Sequence, residues 1–536
     1  MSREFFNLRL SAFICGKLCV LAALCLASAN AQTDPNAGLA PNTAALTAAD
    51  VTAIITNAAL AVDQPAMVVA VSDRQGNILG VFARSSAPAL SVGNFGQMVD
   101  TNELAAALAR TAAFFSNSQA PLSSRTVRFI SGIHFPPGVM YVANAPLYGI
   151  ENSNRGCSFN APYIPGQAFP LARPISASLG RMVRGRESAR AVSSQPGLGI
   201  ITGKADLNDS DPNAVNPGGV PLYKAGRMVG GVGVAGVPPN VAEYAAFAAS
   251  FSFGLPLPLP DPGAVFINGI ELPFVNQTTI PAGTSPVAAG TSLNTLGSWV
   301  MSPVSSPGPA PEGYLVAAAT GPLGGLTQAQ VTQIINQAIS VGNETRAAIR
   351  LPLGTRAKFV ISVADLDGSI IGLYRMEDAT VFSIDVSVAK SRNVIYFSGP
   401  NRKPSELAGV PMGTAVTNRT IGFGAQPLYP PGIDLTNPGP FFPLYQFDTA
   451  NPCTQGAQAA NPYQNGVVFF PGSLPLYLNG VLVGGLGVSG DGVDQDDFVT
   501  SGGAAGFYAP TNLQADQVID EGVRLPYLTF PRNPTD

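Results

Sequence analysis

Two segments of the chain carry apolar residues at helical spacing, and each segment follows a threonine. Thr47 stands three residues before Asp50, and Thr327 stands three residues before Gln330. This spacing is a capping box, in which two side chains satisfy the first backbone N–H groups of a helix. The apolar positions that follow define one buried helical face. They are Val51, Ile54, Ile55 and Ala58 in the first segment, and Val331, Ile334, Ile335 and Ala338 in the second.

Each predicted helix is followed by two apolar, β-branched runs with a short turn between them. The first runs are 67–73 and 359–365, and the turns end at Gly76 and Gly368. Glycine adopts the left-handed backbone conformation that tight turns need. The pattern therefore predicts a β-hairpin after each opening helix.

Two further segments match between the two halves of the chain. A stretch around Arg110 aligns with one around Arg392 and predicts a helix in each half. Residues 217–236 and 471–490 are identical at 12 of 20 positions, and Asn479-Gly480 between two apolar runs is a strong hairpin signal. The matched order indicates an internal duplication. It predicts an α+β fold of two modules, each an antiparallel sheet packed with helices.

The matched segments also set the domain boundaries. Long Gly/Pro-rich insertions at 139–216 and 399–470 interrupt the two modules, and loops of this length are uncommon unless they serve a function or cover a surface. The linker is expected to be extended, with Trp299 able to dock on a module. The predicted divisions are a signal peptide at 1–31, a leader at 32–44, a first module at 45–285, a linker at 286–325 and a second module at 326–536.

The N-terminus has the three parts of a secretory signal. Arg3, Arg9 and Lys17 supply positive charge, residues 18–27 are apolar, and a small-x-small cleavage site ends at Ala31. The apolar run is shorter than the roughly 20 residues that span a bilayer. We therefore expect cleavage after Ala31 and a periplasmic or secreted protein.

Composition narrows the classes of partner. The chain has 29 Lys and Arg against 33 Asp and Glu, a formal net charge of −4 at pH 7. Nucleic acid and anionic membrane surfaces are therefore not expected as general partners. Beyond the signal, Gly, Pro or charged residues break every apolar segment, so no membrane span is predicted. A hydrophobic content of 46% is ample for a folded core.

The opening helix, the Ala-Arg-Thr-Ala-Ala-Phe segment at 109–114 and the hairpin ending at Gly236 together resemble the GlcG/HbpS family of haem-binding or haem-degrading proteins. The second copy carries the same landmarks, including the hairpin ending at Gly490. The resemblance covers about half of each module. It implies an antiparallel sheet with helices, an extracellular haem-related role and a tendency to oligomerise. The duplication then implies that the two modules form an intramolecular pseudo-dimer. A homo-oligomer of the whole chain is also compatible with the resemblance.

The resemblance points to haem as cofactor and gives candidate ligand residues. Arg110 and Arg392 are matched cations whose guanidinium groups can pair with a haem propionate or a small carboxylate, and Lys390 lies beside the second. The alternative is a salt bridge or a solvated helix face. His134, the single histidine, and the matched Tyr223 and Tyr477 are residue types that ligate haem iron. The second copy has Leu428 in place of His134, and strand tyrosines more often only pack.

Two glycine motifs, an acidic cluster and a pair of cysteines are weaker candidates for a functional site. The Gly-x-Gly-x-x-Gly runs ending at Gly236 and Gly490 lie within a hairpin, so we expect them to serve backbone packing and not dinucleotide binding. The acidic cluster at 494–497 lacks the spacing of a calcium loop and is expected to be a solvated turn. Cys157 and Cys453 follow matched Pro-Pro-Gly turns, and they either form a disulfide between the modules or remain free thiols.

Three functions remain open from the sequence. The leading hypothesis is an exported protein that binds a small molecule, with haem as the first candidate. The second is a non-catalytic structural or assembly protein that uses the tandem modules as interaction surfaces. The third is an enzyme acting on haem or a small oxo-acid, for which the sequence offers no catalytic constellation: one histidine cannot serve both copies, and no Gly-x-Ser-x-Gly elbow stands out.

Overall fold

The computed structural model describes residues 43–92, 98–142, 147–150, 153–154, 157, 217–253, 265–451, 453–459 and 461–535. The predicted signal peptide, most of the leader and most of the first insertion lie outside the described residues. The helices are α1 (Ala48–Ala61), α2 (Thr101–Phe115), α3 (Ser124–Ile130), α4 (Pro239–Ser250), α5 (Leu293–Leu296), α6 (Gln328–Glu344), α7 (Phe382–Ser398), α8 (Asn418–Gly424), α9 (Phe442–Ala450) and α10 (Val493–Gly503).

The strands, like the helices, are numbered in chain order. They are β1 (Val68–Asp73), β2 (Ile78–Arg84), β3 (Leu90–Val92), β4 (Met98–Asp100), β5 (Gly219–Lys224), β6 (Arg227–Ala235), β7 (Val265–Ile267), β8 (Ile270–Leu272), β9 (Gly297–Met301), β10 (Gly313–Val316), β11 (Phe359–Ala364), β12 (Ile370–Arg375), β13 (Ser473–Leu478), β14 (Val481–Gly490), β15 (Ile519–Asp520) and β16 (Val523–Arg524).

The opening helices begin where the capping boxes predict. The Thr47 hydroxyl accepts from the backbone N–H of Asp50, and the Asp50 carboxylate accepts from that of Thr47. Thr327 and Gln330 form the same reciprocal pair at the start of α6. Every predicted apolar position on the two helices is buried. Local sequence alone is therefore sufficient to fix the start and the buried face of both helices.

Two five-stranded antiparallel sheets confirm the α+β prediction. Their orders are β5-β6-β1-β2-β9 in the first module and β13-β14-β11-β12-β10 in the second, so equivalent strands occupy equivalent places. Helices α1 and α4 pack together on one face of the first sheet, and α2 packs on the other. Helices α6, α10 and α7 contact the second sheet in the corresponding way. Among the described residues, no helix combines the length and hydropathy that a bilayer span requires.

The predicted linker takes part in both sheets. Strand β9 pairs with β2, where Trp299 lies opposite Phe82 with 5.3 Å between their ring centroids. Strand β10 pairs with β12. The segment at 286–325 is therefore not simply an extended tether, because it closes each sheet with an edge strand. The described residues belong to one compact unit.

The hairpin turns adopt the geometry that the second copy predicts. Asn479 and Gly480 have φ values of 51° and 78°, and Ala225 and Gly226 have values of 50° and 75°. Two successive positive φ values define the type I′ turn, whose twist matches that of the flanking strands. Asn tolerates this conformation better than Ala does. The first module therefore holds Ala225 in a conformation that costs it free energy.

The strand glycines serve close packing, as predicted. A Cβ atom on Gly231 would lie 2.2 Å from the carbonyl oxygen of Ala109, and one on Gly233 would lie 2.0 Å from that of Ala105. In the second module, a Cβ atom on Gly485 or Gly487 of β14 would likewise lie 2.1 Å from a carbonyl oxygen of α7. Only residues without a side chain let α2 and α7 lie this close to their sheets.

The modules meet across the C-terminal end of α2 and the N-terminal end of α7. The rings of Phe115 and Phe382 stack there with 4.2 Å between centroids. Beside them, the Asp378 carboxylate of the second module accepts from the Arg74 guanidinium at 2.7 Å and from the Ser118 hydroxyl at 2.9 Å. These are buried contacts between two modules of one chain, as in a fused dimer.

Candidate functional site

Arg110 and Arg392 perform the same task in the two modules. Both side chains are fully buried. The Nε of Arg110 donates to the carbonyl oxygen of Gly76 at 2.9 Å, and that of Arg392 donates to Gly368 at 2.8 Å. Each arginine therefore ties its central helix to the turn of the first hairpin, and neither lies on a solvated helix face. Burial lowers the pKa of Arg110 to about 10 and that of Arg392 to about 9.

An acidic residue stands seven positions before each arginine, which places it two turns away on the same helical face. In the second module Asn465 joins the two groups. Its amide oxygen accepts from Nη1 of Arg392 at 3.0 Å, and its amide nitrogen donates to Oδ1 of Asp385 at 3.2 Å. In the first module Glu103 takes the acidic position, and burial raises the pKa of its carboxyl to about 7.

A cavity of about 340 Å³ opens beside Arg392. Its size falls within the range of roughly 300–1,000 Å³ that is usual for small-molecule sites. Apolar side chains and convergent polar groups line it together. The lining includes Leu366, Asp367, Arg392, Ile395, Tyr396, Gln455, Gln458, Val481 and Leu482.

Tyr396 is one of the polar lining residues that the sequence did not predict, together with Asp367, Gln455 and Gln458. It occupies the position of Phe114 in the first copy, so only the second module has a hydroxyl there. That hydroxyl donates to Oε2 of Glu406 at 2.7 Å, and Oε1 of Glu406 accepts from the backbone N–H of Ala457 at 2.6 Å. Burial and the neighbouring carboxylate raise the pKa of Tyr396, so the phenol is neutral. The difference between the two copies is the signal that would have pointed to it.

Lys390 lies apart from this cavity, although it is two residues from Arg392. Its Nζ donates to Oδ2 of Asp496 at 2.9 Å and to the carbonyl oxygen of Val488 at 2.8 Å. The first module has Leu108 and Ala242 at the matched positions, so the buried ion pair belongs to the second module alone. Burial lowers the pKa of Lys390 and raises that of Asp496 to about 7.

The acidic cluster at 494–497 is not a solvated turn, and that prediction is wrong. It forms the first turns of α10, where Asp494 and Asp497 both pair with Arg419 at 2.5 Å. The first module repeats part of this arrangement with Arg125 and Glu243 at 2.6 Å. These carboxylates neutralise buried cations. In the part of the chain that the structure describes, no cluster of three metal-binding side chains occurs.

His134 lies at the boundary between the modules and not in the Arg392 cavity. Its Nε2 is 2.9 Å from Oδ2 of Asp434 in the second module, and its side chain is 3% exposed. The structure therefore gives His134 a contact between the modules. A haem iron could reach it only after this buried contact opened.

Tyr223 and Tyr477 pack within the hairpins. The hydroxyl of Tyr223 donates to the carbonyl oxygen of Asn117 at 2.9 Å, and the side chain is buried. Tyr477 is also buried, and burial raises its pKa to about 12. Neither tyrosine lines the Arg392 cavity. The matched positions of these residues reflect the shared hairpin.

Cys157 and Cys453 form a disulfide with 5.3 Å between their Cα atoms. Cys157 belongs to the first module and Cys453 to the second, so the bond joins them covalently across 296 residues. Cys453 lies in the same insertion as Gln455 and Gln458 of the Arg392 cavity. The disulfide thus links that insertion to the opposite module.

The fold and the cavity define a class of protein: a tandem α+β protein whose second module has a cavity lined by Arg392, Asp367, amide groups and apolar side chains. A family model described as haem degrading protein HbpS-like matches residues 326–505. An uncharacterized 15.0 kDa protein in the dhaT-dhaS intergenic region of Citrobacter freundii is 30% identical over 137 residues, which cover 26% of this chain and 67% of that protein. The chain belongs to the HbpS-like family, as its sequence landmarks predict.

Two solved structures also resemble the chain. One is the crystal structure of a PduOC:heme complex, with 19% identity and a TM-score of 0.22, covering 34% of this chain and 95% of that one. The other is Klebsiella pneumoniae protein ORFY, with 19% identity and a TM-score of 0.22, covering 33% and 88%. The fold described above rests on the sheets of this chain itself.

Proposed function

We propose that the second module binds an apolar small molecule that carries a carboxylate, with haem as the first candidate, in the cavity beside Arg392. The observation that carries this proposal is the lining itself, which combines a buried guanidinium, two glutamine amides and several aliphatic side chains. Apolar walls with a few placed polar groups are typical of small-molecule sites. The family match covers the same module.

The residues present fit a haem in two respects. Arg392 offers a planar cation of the kind that binds carboxylates, and its charge suits a propionate. Tyr396 supplies a phenol oxygen, which is one of the axial ligands known for haem iron. Its hydrogen bond to Glu406 orients that oxygen. When bound, haem would supply iron-centred ligand and redox chemistry, while Ile395, Leu482 and their neighbours would cover its apolar face.

We also propose that the protein is exported. The support is the secretory pattern at residues 1–31, which predicts a periplasmic or secreted location. Fractionation of the native host, with an antibody against the second module, tests this directly. Recovery of the full-length chain from the cytoplasm alone would contradict it.

Haemin titration tests the binding proposal. Wild-type protein should develop a shifted Soret band with one site per chain at micromolar haemin. Arg392→Lys keeps the charge but loses the planar fork, and it should weaken haemin binding by about tenfold or more. Tyr396→Phe should change the Soret position if the phenol ligates the iron.

Arg110→Lys is the matched control, because it removes the equivalent contact to Gly76 at equal burial. It should lower the thermal midpoint about as much as Arg392→Lys does, yet leave haemin affinity unchanged. No spectral change in the wild type, or equal losses of affinity in the two arginine variants, would exclude binding at Arg392.

The structural alternative predicts that side chains of the insertions fill the groove between the modules. Within the described part of the chain, that groove contains a cavity of about 420 Å³. Together with the Arg392 cavity, this space favours ligand binding over a purely structural role.

A further inference from the structure

The larger cavity lies between the two modules and has two chemically different walls. The first module supplies an apolar wall that includes Phe115, Leu122, Ile130, Phe135, Ile150 and Leu272. The second module supplies apolar side chains as well, including Ile349, Phe382 and Phe470, and it supplies all the charged groups of the lining, at the start of α10, at Arg346 and in the C-terminal segment that contains Arg532. None of the residues proposed above to hold haem lines this cavity.

The charges on the second wall do not cancel. Its two carboxylates, Asp494 and Asp496, are each paired, with Arg419 at 2.5 Å and Lys390 at 2.9 Å. Arg346 has no carboxylate partner within the described part of the chain. Its Nη2 donates to the carbonyl oxygen of Arg532 at 3.3 Å. Its buried Nε has no hydrogen-bond acceptor among the described residues.

The start of α10 also lines this end of the cavity, and the carboxylates of its first turn, Asp494 and Asp496, are the two already paired with cations. The helix has 11 residues, and its N-cap, Gly492, has no side chain to accept from the first N–H groups. Such a helix end carries partial positive charge and favours an anion. A buried donor without an acceptor, such as Nε of Arg346, costs free energy that a ligand oxygen would recover. The cavity is therefore apolar on one side and able to receive an anion on the other.

We infer that this cavity binds an amphipathic carboxylate, such as a straight-chain fatty acid. The alkyl chain lies against the apolar wall of the first module, and the carboxylate accepts from Arg346 beside the start of α10. This site is separate from the Arg392 cavity, so the inference goes beyond the proposed haem site. It assigns a binding role to the surface that the two modules create together.

Calorimetric titration of the full chain with dodecanoate tests the inference, with dodecanol as the neutral comparison. Dodecanoate should bind at one site per chain, and at least about tenfold more tightly than dodecanol, because a charge-assisted hydrogen bond is lost with the alcohol. Arg346→Met should remove that preference. Equal affinity for the two compounds, or no binding of dodecanoate at millimolar concentration, would overturn the inference.

Arg356→Met is the matched control. Arg356 faces Arg346 across an isolated β-bridge, and its Nη1 donates to the carbonyl oxygen of Thr535 at 2.8 Å, but it does not line the cavity. It removes one exposed contact to the C-terminal segment and should leave the dodecanoate affinity within about twofold. Equal losses in Arg346→Met and Arg356→Met would show that the effect is structural and would refute the site.

Two further measurements separate this site from the haem site. Ile267→Trp, a substitution at a partly exposed residue of the apolar wall, should fill the cavity and abolish dodecanoate binding without lowering the thermal midpoint. Arg392→Lys should leave dodecanoate affinity unchanged even if it abolishes haemin binding. Displacement of dodecanoate by haemin would assign the haem to this cavity and overturn the fatty-acid assignment.

Discussion

The buried ion pair of Lys390 and Asp496 can be tested by comparison with the matched positions of the first module. The first module has Leu108 and Ala242 at the matched positions, and both are buried there. The double replacement of Lys390 by Leu and Asp496 by Ala therefore installs a pair that this fold already accommodates. We expect it to have almost no effect on the free energy of unfolding.

The expected magnitudes follow from the burial of both groups. Removing one partner leaves an uncompensated buried charge, so Lys390→Leu or Asp496→Ala alone should cost roughly 3–5 kcal/mol. Replacing both removes the charge problem and is often neutral or stabilising by about 1–4 kcal/mol. The carbonyl oxygen of Val488 loses its donor in the double variant, which offsets about 1 kcal/mol of any gain. The double variant should lie within about 2 kcal/mol of wild type.

Urea unfolding of the wild type, the two single variants and the double variant at several pH values measures this double-mutant cycle. The raised pKa of Asp496, about 7, means that the native state holds this proton more tightly than the unfolded state does. Its contribution to stability is present at low pH and is lost as the pH rises through 7. Variants without Asp496 should lose that part of the pH dependence. If the double variant is as unstable as either single one, the ion pair contributes net stability and our reasoning fails.

Three further predictions concern single positions. Glu103→Gln should stabilise the protein by roughly 3 kcal/mol at pH 8 and much less at pH 5, because the pKa of this carboxyl is raised from 4.5 to about 7 and its cost to stability grows between those two pH values and is complete above 7; a flat difference between the two pH values in urea unfolding would contradict it. Ala225→Asn should raise stability by about 1 kcal/mol or less, since Asn479 adopts the same turn in the second module; a lowered thermal midpoint would exclude this. Peptide mapping without reductant should recover Cys157 joined to Cys453, and full alkylation of both would refute the bond.

The duplication allowed much of the fold to be predicted from the sequence. Capping boxes and hairpin turns are local signals, and the two copies confirm each other wherever their signals agree. The edge strands β9 and β10 were missed because they are short and lie in a Pro/Gly-rich segment. Their pairing partners lie far away in the sequence, and no local pattern encodes such pairing. Domain boundaries drawn from composition therefore placed both strands in a linker.

The candidate site was only partly predictable for a related reason. Arg392 stands out as a cation in an apolar helix. Its partners come from the insertion at 399–470, for which the sequence predicted no helix or strand. Asn465 lies 73 residues beyond Arg392, and Glu406 contacts Tyr396 from a short 3₁₀ helix at Pro404–Leu407. Only the packed chain brings these groups together.

Comparison of the two copies distinguishes residues that both modules need for their fold from residues that occur in only one module. Arg110 and Arg392 occupy the same position in the two modules, and both contact a turn glycine. The presence of an arginine there is therefore evidence of a structural role. Tyr396 replaces a phenylalanine of the first copy, and it places a hydrogen-bonding group beside a cavity. A polar group in an apolar position costs stability unless it gains a partner. Ligand specificity in the second module should therefore depend on Tyr396 more than on Arg392, whose removal also loosens the hairpin.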